Sequence, residues 1–193
     1  MPVFLIGNAT RPKEEAPAIV PAKVEKTAIN PPPQPAPTPV PSVAGEESYK
    51  IIRLREMAAM WKGTVLEERT VPLLAMLLVE NGALAESVRG DHGFAIGLDQ
   101  THICIRGFAP LGKKYCGSGA EKRLAADLKG TEWDGWLSDW RLQFKYYTQH
   151  VMDMTNDGES VDGIIRSWNS LEVGRRAKVR NRENLVRAAL ENV

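Results

Sequence analysis

The chain has 193 residues, enough for one domain of ordinary size plus an appendage. Its 25 Lys and Arg against 24 Asp and Glu leave a net charge of +1, which counts against a nucleic-acid binder held by bulk charge. A hydrophobic content of 43% suits a packed core and is far too low for a membrane protein, and the longest apolar run, Val71 to Val79, falls well short of a bilayer span.

At the start of the chain, Val3 to Ile6 is a very short apolar stretch with no basic residue before it, so no secretory signal is expected. Of 13 prolines, 11 precede residue 42, and Pro31 to Pro41 reads Pro-Pro-Pro-Gln-Pro-Ala-Pro-Thr-Pro-Val-Pro. Such a run lacks amide donors and favours extended polyproline II geometry. Residues 1–45 therefore read as a semi-rigid arm that tethers or threads the remainder, residues 46–193.

From Glu46 onward helical periodicity dominates. Ile51, Leu54, Ala58 and Trp61 recur at helical spacing, with Ser48 as candidate cap. Thr70-Val71-Pro72 is a good helix start, because proline is tolerated in the first turn. Val71 to Val79 is apolar on every side, which predicts a buried helix that stops at Glu80-Asn81-Gly82. Residues 82–120 are rich in glycine and read as loops with a short hairpin. Trp133, Trp136, Leu137, Trp140, Phe144, Tyr147 and Val151 predict one long helix, with Thr131 and Asp134 as its capping box. Val161, Ile164, Ile165 and Trp168 predict a shorter helix, and Leu185, Val186, Ala189 and Leu190 the last one. The expected fold is a mostly α, single domain with one long irregular insert.

The other chemistry-bearing residues give weaker signals. Cys104 and Cys116 fit either one loop-closing disulfide or two buried thiols. His92 and His102 are too sparse a pair to imply a metal, and no cofactor is expected. Trp133, Trp136 and Trp140 at helical spacing read as core rather than as a platform for sugar rings. Seven basic residues between Arg166 and Arg187 read as a solvated helix face, with attraction to an anionic cell wall or to nucleic acid as the sharper alternative.

Glu80 is the first candidate for catalysis. A carboxylate closing an all-apolar helix is partly desolvated, which favours the protonated form that a general acid requires. Beyond it, Gly90-Asp91-His92-Gly93-Phe94-Ala95-Ile96-Gly97-Leu98-Asp99-Gln100 packs three glycines and two carboxylates into a loop that can approach a ligand closely. Gln100 both donates and accepts, which suits hydroxyl and acetamido groups.

This arrangement resembles the lysozyme-like lytic transglycosylases, the group of soluble lytic transglycosylases and goose-type lysozymes. Glu80 matches the catalytic Glu that closes a buried helix in that family, and Ala95, Gly97, Leu98 and Gln100 match its Gly-Ala-x-Gly-Leu-x-Gln element. The longer form common in phage and secretion-system members fits from Gly90 to Gln100, and Trp168-Asn169 stands where an aromatic-Asn pair occurs. Asn81 replaces the usual Ser, Asp99 a usual hydrophobic residue and Trp168 a usual Tyr, while a late Tyr has no counterpart.

The resemblance implies a lysozyme-like fold over residues 46–193 and cleavage of peptidoglycan between N-acetylmuramic acid and N-acetylglucosamine. Glu80 would protonate the glycosidic oxygen and then, as carboxylate, take the proton of the muramyl 6-hydroxyl to close a 1,6-anhydro ring. Asn81, Ala95, Gly97, Leu98, Gln100, Trp168 and Asn169 would bind the strand. Asp91 and Asp99 are the local candidates for the second carboxylate that a hydrolytic lysozyme needs. A phage virion component that opens the wall for genome entry, acting in the host periplasm, is the expected setting. Residues 1–45 would dock it to virion or secretion-machine proteins. A structural virion or secretion protein that keeps the fold and only binds glycan is the alternative, and a nucleic-acid-binding ejection protein the third.

Overall fold

The helix that begins at Thr70 owes its character to a run with no polar side. Leu73 through Leu78 are all buried, so α2 (Thr70–Glu80) runs through the interior rather than along a surface. Its start is fixed by the Thr70 hydroxyl donating back to Leu66 O at 3.2 Å, with Pro72 in the first turn. The computed structural model describes residues 43–168 and 174–191, and the expected arm, its expected docking to virion or secretion-machine proteins and Asn169 lie outside them apart from residues 43–45. Those three already belong to α1 (Val43–Trp61), so the first helix starts ahead of the expected boundary and Ser48 lies inside it instead of capping it.

Among the described residues the chain forms six α-helices and a small sheet, a mostly α architecture. After α2 come β1 (Arg89–Gly90), β2 (Ala95–Ile96) and β3 (Thr101–His102), then α3 (Ala120–Leu128), α4 (Trp140–Asn156), α5 (Val161–Trp168) and α6 (Arg175–Glu191). The strands form one antiparallel sheet in order β1-β2-β3, with Gly90 opposite Ala95 and Ala95 opposite His102. No helix among the described residues is long and apolar enough to cross a membrane.

Two separate cores divide the work. The larger is helical: α2 packs chiefly against α6 and also meets α1 and α5, with Leu54, Met57 and Trp61 of α1 and Phe144, Tyr147 and Val151 of α4 closing around it. The smaller gathers Ile96, Ile103, Phe108, Tyr115, Leu124, Leu128 and Trp136 beneath the sheet. Each fully buried aliphatic or aromatic side chain contributes roughly 1.5–3 kcal/mol of transfer free energy.

The expected helix from Trp133 to Val151 is a correction. Residues 131–139 form turns, and α4 begins only at Trp140, capped by Asp139, whose Oδ1 accepts from Arg141 N at 2.8 Å. Gly135 has φ of +82°, a conformation that interrupts a right-handed helix. The supposed capping box serves those turns: Thr131 Oγ1 accepts from Trp133 N, and Asp134 Oδ2 from Gly130 N. The aromatic stripe is core, as expected, but of two cores. Trp136 joins the smaller and Trp140 the larger.

Two further points differ from the sequence reading. α3 was not anticipated, because its buried positions, Ala120, Leu124 and Leu128, give one apolar contact per turn in a charged segment. Leu185 of α6 is exposed, while Val179, Val186 and Ala189 carry the packed face. Cys104 and Cys116 form a disulfide, with Cα atoms 4.7 Å apart, that closes the loop after β3.

Candidate functional site

The end of α2 is tied to the glycine loop by one side chain. Asn81 is buried, and its Nδ2 donates to Gly97 O at 3.0 Å and to Ala85 O at 2.7 Å, while its Oδ1 accepts from Ala83 N and Ala85 N. All its hydrogen-bonding capacity is spent on backbone. Asn81 is thus a clamp holding the residue after Glu80 against the loop sixteen positions later, and the strand contact expected of it is replaced by that role.

Gly97 is the other half of the clamp. Its φ is +82°, and a Cβ there would collide with Gln143 Oε1, so only glycine fits. Gln143 is fully buried and reaches from α4 to accept from Leu98 N at 2.9 Å and to donate to Trp136 O at 2.9 Å and Glu86 O at 3.2 Å. Ala95 and Leu98 are packed into the interior, so they shape the loop and do not line a surface cleft. Gln143 was missed by sequence reasoning; its signal was a lone amide within the aromatic face of α4.

Gln100, Asp99 and Trp168 line a cleft of about 430 Å³ together with Arg106, Tyr146 and His150. Gln100 takes φ of +50° and donates through Nε2 to Gly97 O at 2.8 Å. The Trp168 indole donates to Asp99 O at 2.9 Å, which joins the end of α5 to the loop, and its ring lies edge-on to Tyr147 and His150. The aromatic wall and the amide and hydroxyl groups around it form a surface suited to a ring with polar edges.

The two candidate second carboxylates have different settings. Asp99 is buried, and both of its oxygens accept from Thr101 Oγ1, at 2.8 and 2.9 Å. Burial pushes its pKa up to about 6, against the downward pull of the Thr101 hydrogen bonds and Arg106. Asp91 is exposed outside this cleft, with Oδ2 3.5 Å from His102 Nε2. His150 is held below its usual pKa by burial and by Arg106, and Tyr146 is raised by burial and by Asp99.

Glu80 opens elsewhere. It lines a second cleft, about 510 Å³, with Leu78, Val79, Arg175, Lys178, Asn181 and Arg182. Among the described residues the two clefts share no lining residue. Its carboxylate is in contact with the guanidinium of Arg175, and both side chains are largely buried. Burial lowers the pKa of Arg175. A cation in contact with a carboxylate favours the ionised acid, which opposes the desolvation expected from the sequence.

Arg175 and Arg176 stand at the start of α6, where the helix dipole disfavours cations. That placement was a sequence signal that each has an acidic partner. Arg175 meets Glu80, and Arg176 bonds Asp162 at 2.5 Å and Glu183 at 2.8 Å. The basic stretch from Arg166 to Arg187 is therefore partly neutralised. No protein-family model, curated protein or solved structure matches this chain.

Proposed function

We propose that this protein cleaves the glycan strand of peptidoglycan, with Glu80 as the proton-transferring residue and the cleft at Gln100 and Trp168 holding sugar. The observation that carries this reading is the Asn81 clamp: Asn81 Nδ2 to Gly97 O at 3.0 Å joins the end of the buried helix to the glycine loop, the two elements on which the resemblance to lysozyme-like transglycosylases rests. A disulfide closing the loop that contributes Arg106 and Gly107 to the cleft suits work in an oxidising compartment such as a periplasm.

Glu80 must carry a proton to act on a glycosidic oxygen, and Arg175 has to leave it first. Strand binding along the second cleft would draw Arg175 away, after which the desolvated position favours the acid. The carboxylate then accepts the muramyl hydroxyl proton in the transglycosylase course. In the hydrolytic course a second carboxylate positions water, and Asp99, engaged twice by Thr101, and Asp91, outside the cleft, are each poorly disposed for it. The transglycosylase course is the one we favour. Delivery with a phage particle, through the 1–45 arm, is the setting that fits a wall-opening enzyme.

The alternative, a structural protein that binds glycan without cutting it, gains from one observation: Glu80 is engaged by Arg175 and lines a different cleft from Gln100. Purified peptidoglycan digested by wild type, Glu80→Gln and Glu80→Gln/Arg175→Met separates the two. The double variant removes both charges, so that loss of activity is not loss of fold. Anhydro-muramyl ends from wild type alone support the enzyme; reducing ends indicate a hydrolase. Glycan binding with no products from any of the three leaves the structural protein.

A further inference from the structure

The cleft at Gln100 and Trp168 contains one arginine or lysine among the described residues that line it, Arg106. Arg106 is exposed, yet it is not loose. Its Nη2 donates to Trp168 O at 2.6 Å and to Ser167 O at 3.2 Å, the last carbonyls of α5, where the helix dipole favours a cation. It also lies two residues after Cys104, inside the loop that the disulfide closes.

An arginine carries five N–H donors in a fixed fork, and one nitrogen here is committed to backbone. No carboxylate among the described residues forms an ion pair with the rest. Asp99 is the acid of the same cleft, and its oxygens are turned onto the Thr101 hydroxyl. His150 does not compete as a cation, because it is held towards its neutral form. A guanidinium anchored by main chain, at the wall of a cleft and in no ion pair among the described residues, is arranged to receive a planar anion in bidentate fashion.

We propose that Arg106 makes this cleft a carboxylate-binding site, and that it selects glycan strands whose substituents bear carboxylates over neutral ones. The second half rests on the glycan reading given above; the first does not. Tyr146, half-buried at the same wall, would meet the ring while Arg106 takes the acid, which gives the cleft two chemically different anchors. Loop closure by the disulfide holds the guanidinium in place before ligand arrives, so little ordering is needed on binding.

Two titrations test the two halves. In the first, N-acetyl-D-glutamate and its uncharged diamide are added to the full-length protein, and the Trp168 indole N–H resonance is followed. The acid is expected to give a saturable shift, the diamide none, and Arg106→Gln to abolish the response. Arg106→Lys should keep part of it, which a purely structural role for the α5 contact would not predict. No acid-specific response from the wild type overturns the site. In the second, soluble peptidoglycan fragments are compared with the same fragments after their carboxyl groups are capped as methylamides. Untreated fragments should bind roughly tenfold more tightly, a difference that Arg106→Gln erases without weakening binding of the capped ones. Equal affinity for both, or equal weakening of both in the variant, overturns selection. Binding of the small acid with no binding of either fragment keeps the carboxylate site and rejects the glycan reading.

Discussion

The helical core and the sheet lobe are built on different principles. In the first, long apolar runs remove water from side chains over many residues: α2 alone buries six consecutive positions, Leu73 to Leu78. In the second, three strands of two residues each supply little burial, and shape comes from turns, a disulfide and polar side chains that enter from the neighbouring core. Asn81, Gln143 and Trp168 are those entering groups, each giving a hydrogen bond to residues 97–99 or accepting one from them. The lesson is that the Gly90–Gln100 loop is not held by its own small core alone. It is held in position by the rigid element beside it, and cavity and charge effects will spread differently on the two sides.

The largest effect is expected from Leu74→Ala at the middle of α2, where no surface is exposed. A loss of about 3–5 kcal/mol and a single cooperative transition at a lower Tm should follow, by calorimetry, because the whole helical core shares that contact. Two separate transitions would show that the lobes unfold independently and would break the comparison as drawn.

Next is the disulfide. Cys104→Ser/Cys116→Ser should cost about 3 kcal/mol in denaturant titration, the entropy of one short closed loop. The loss should fall on the lobe: hydrogen exchange should rise at Tyr115 and Phe108, whose amides bond to Ile103 O and Lys113 O, while α2 amides stay protected. Uniform loss of protection would mean that the lobe is a strut of the core.

What the sequence made legible follows the same division. Helical periodicity placed α1, α2, α5 and α6, since apolar residues at regular spacing report burial directly. It failed between Trp133 and Trp140 because three tryptophans kept that spacing while Gly135 and the Thr131 turn redirected the chain, sending Trp136 and Trp140 to different cores. Of the site, the Glu80 and Gly90–Gln100 elements were readable as a motif. That Asn81 clamps, that Arg175 covers Glu80 and that Arg106 enters the Gln100 cleft depend on contacts between distant segments, which local spacing does not encode.

A smaller effect tests the clamp. Gly97→Ala forces a Cβ into φ of +82° and against Gln143 Oε1, for a cost of about 2 kcal/mol. Asn81→Ala should add little to it, because both remove the same seam, so a double-mutant cycle should show coupling of at least about 0.5 kcal/mol. Additive losses would mean that Asn81 and Gln143 hold the loop independently.

The smallest effect belongs to Asp99 and has a definite sign. Its folded pKa, about 6, lies above the unfolded value of 3.8, so the folded protein holds this proton more tightly. The stability it contributes is complete below the unfolded value and is lost as pH rises through about 6, when a charge has to be kept in the buried site. Asp99→Asn keeps an acceptor for Thr101 and never ionises. At pH 7.5 it should therefore gain about 1 kcal/mol over wild type, less than the full shift implies because its amide must also be desolvated. Near pH 4 the two should converge, with the difference opening between pH 4 and 7 in thermal melts. A gap that is constant with pH would mean that Asp99 ionises as freely as a surface carboxylate; the Thr101 bonds and Arg106 would then just offset its burial, and the seam beside the cleft would be a polar joint instead of a dry one.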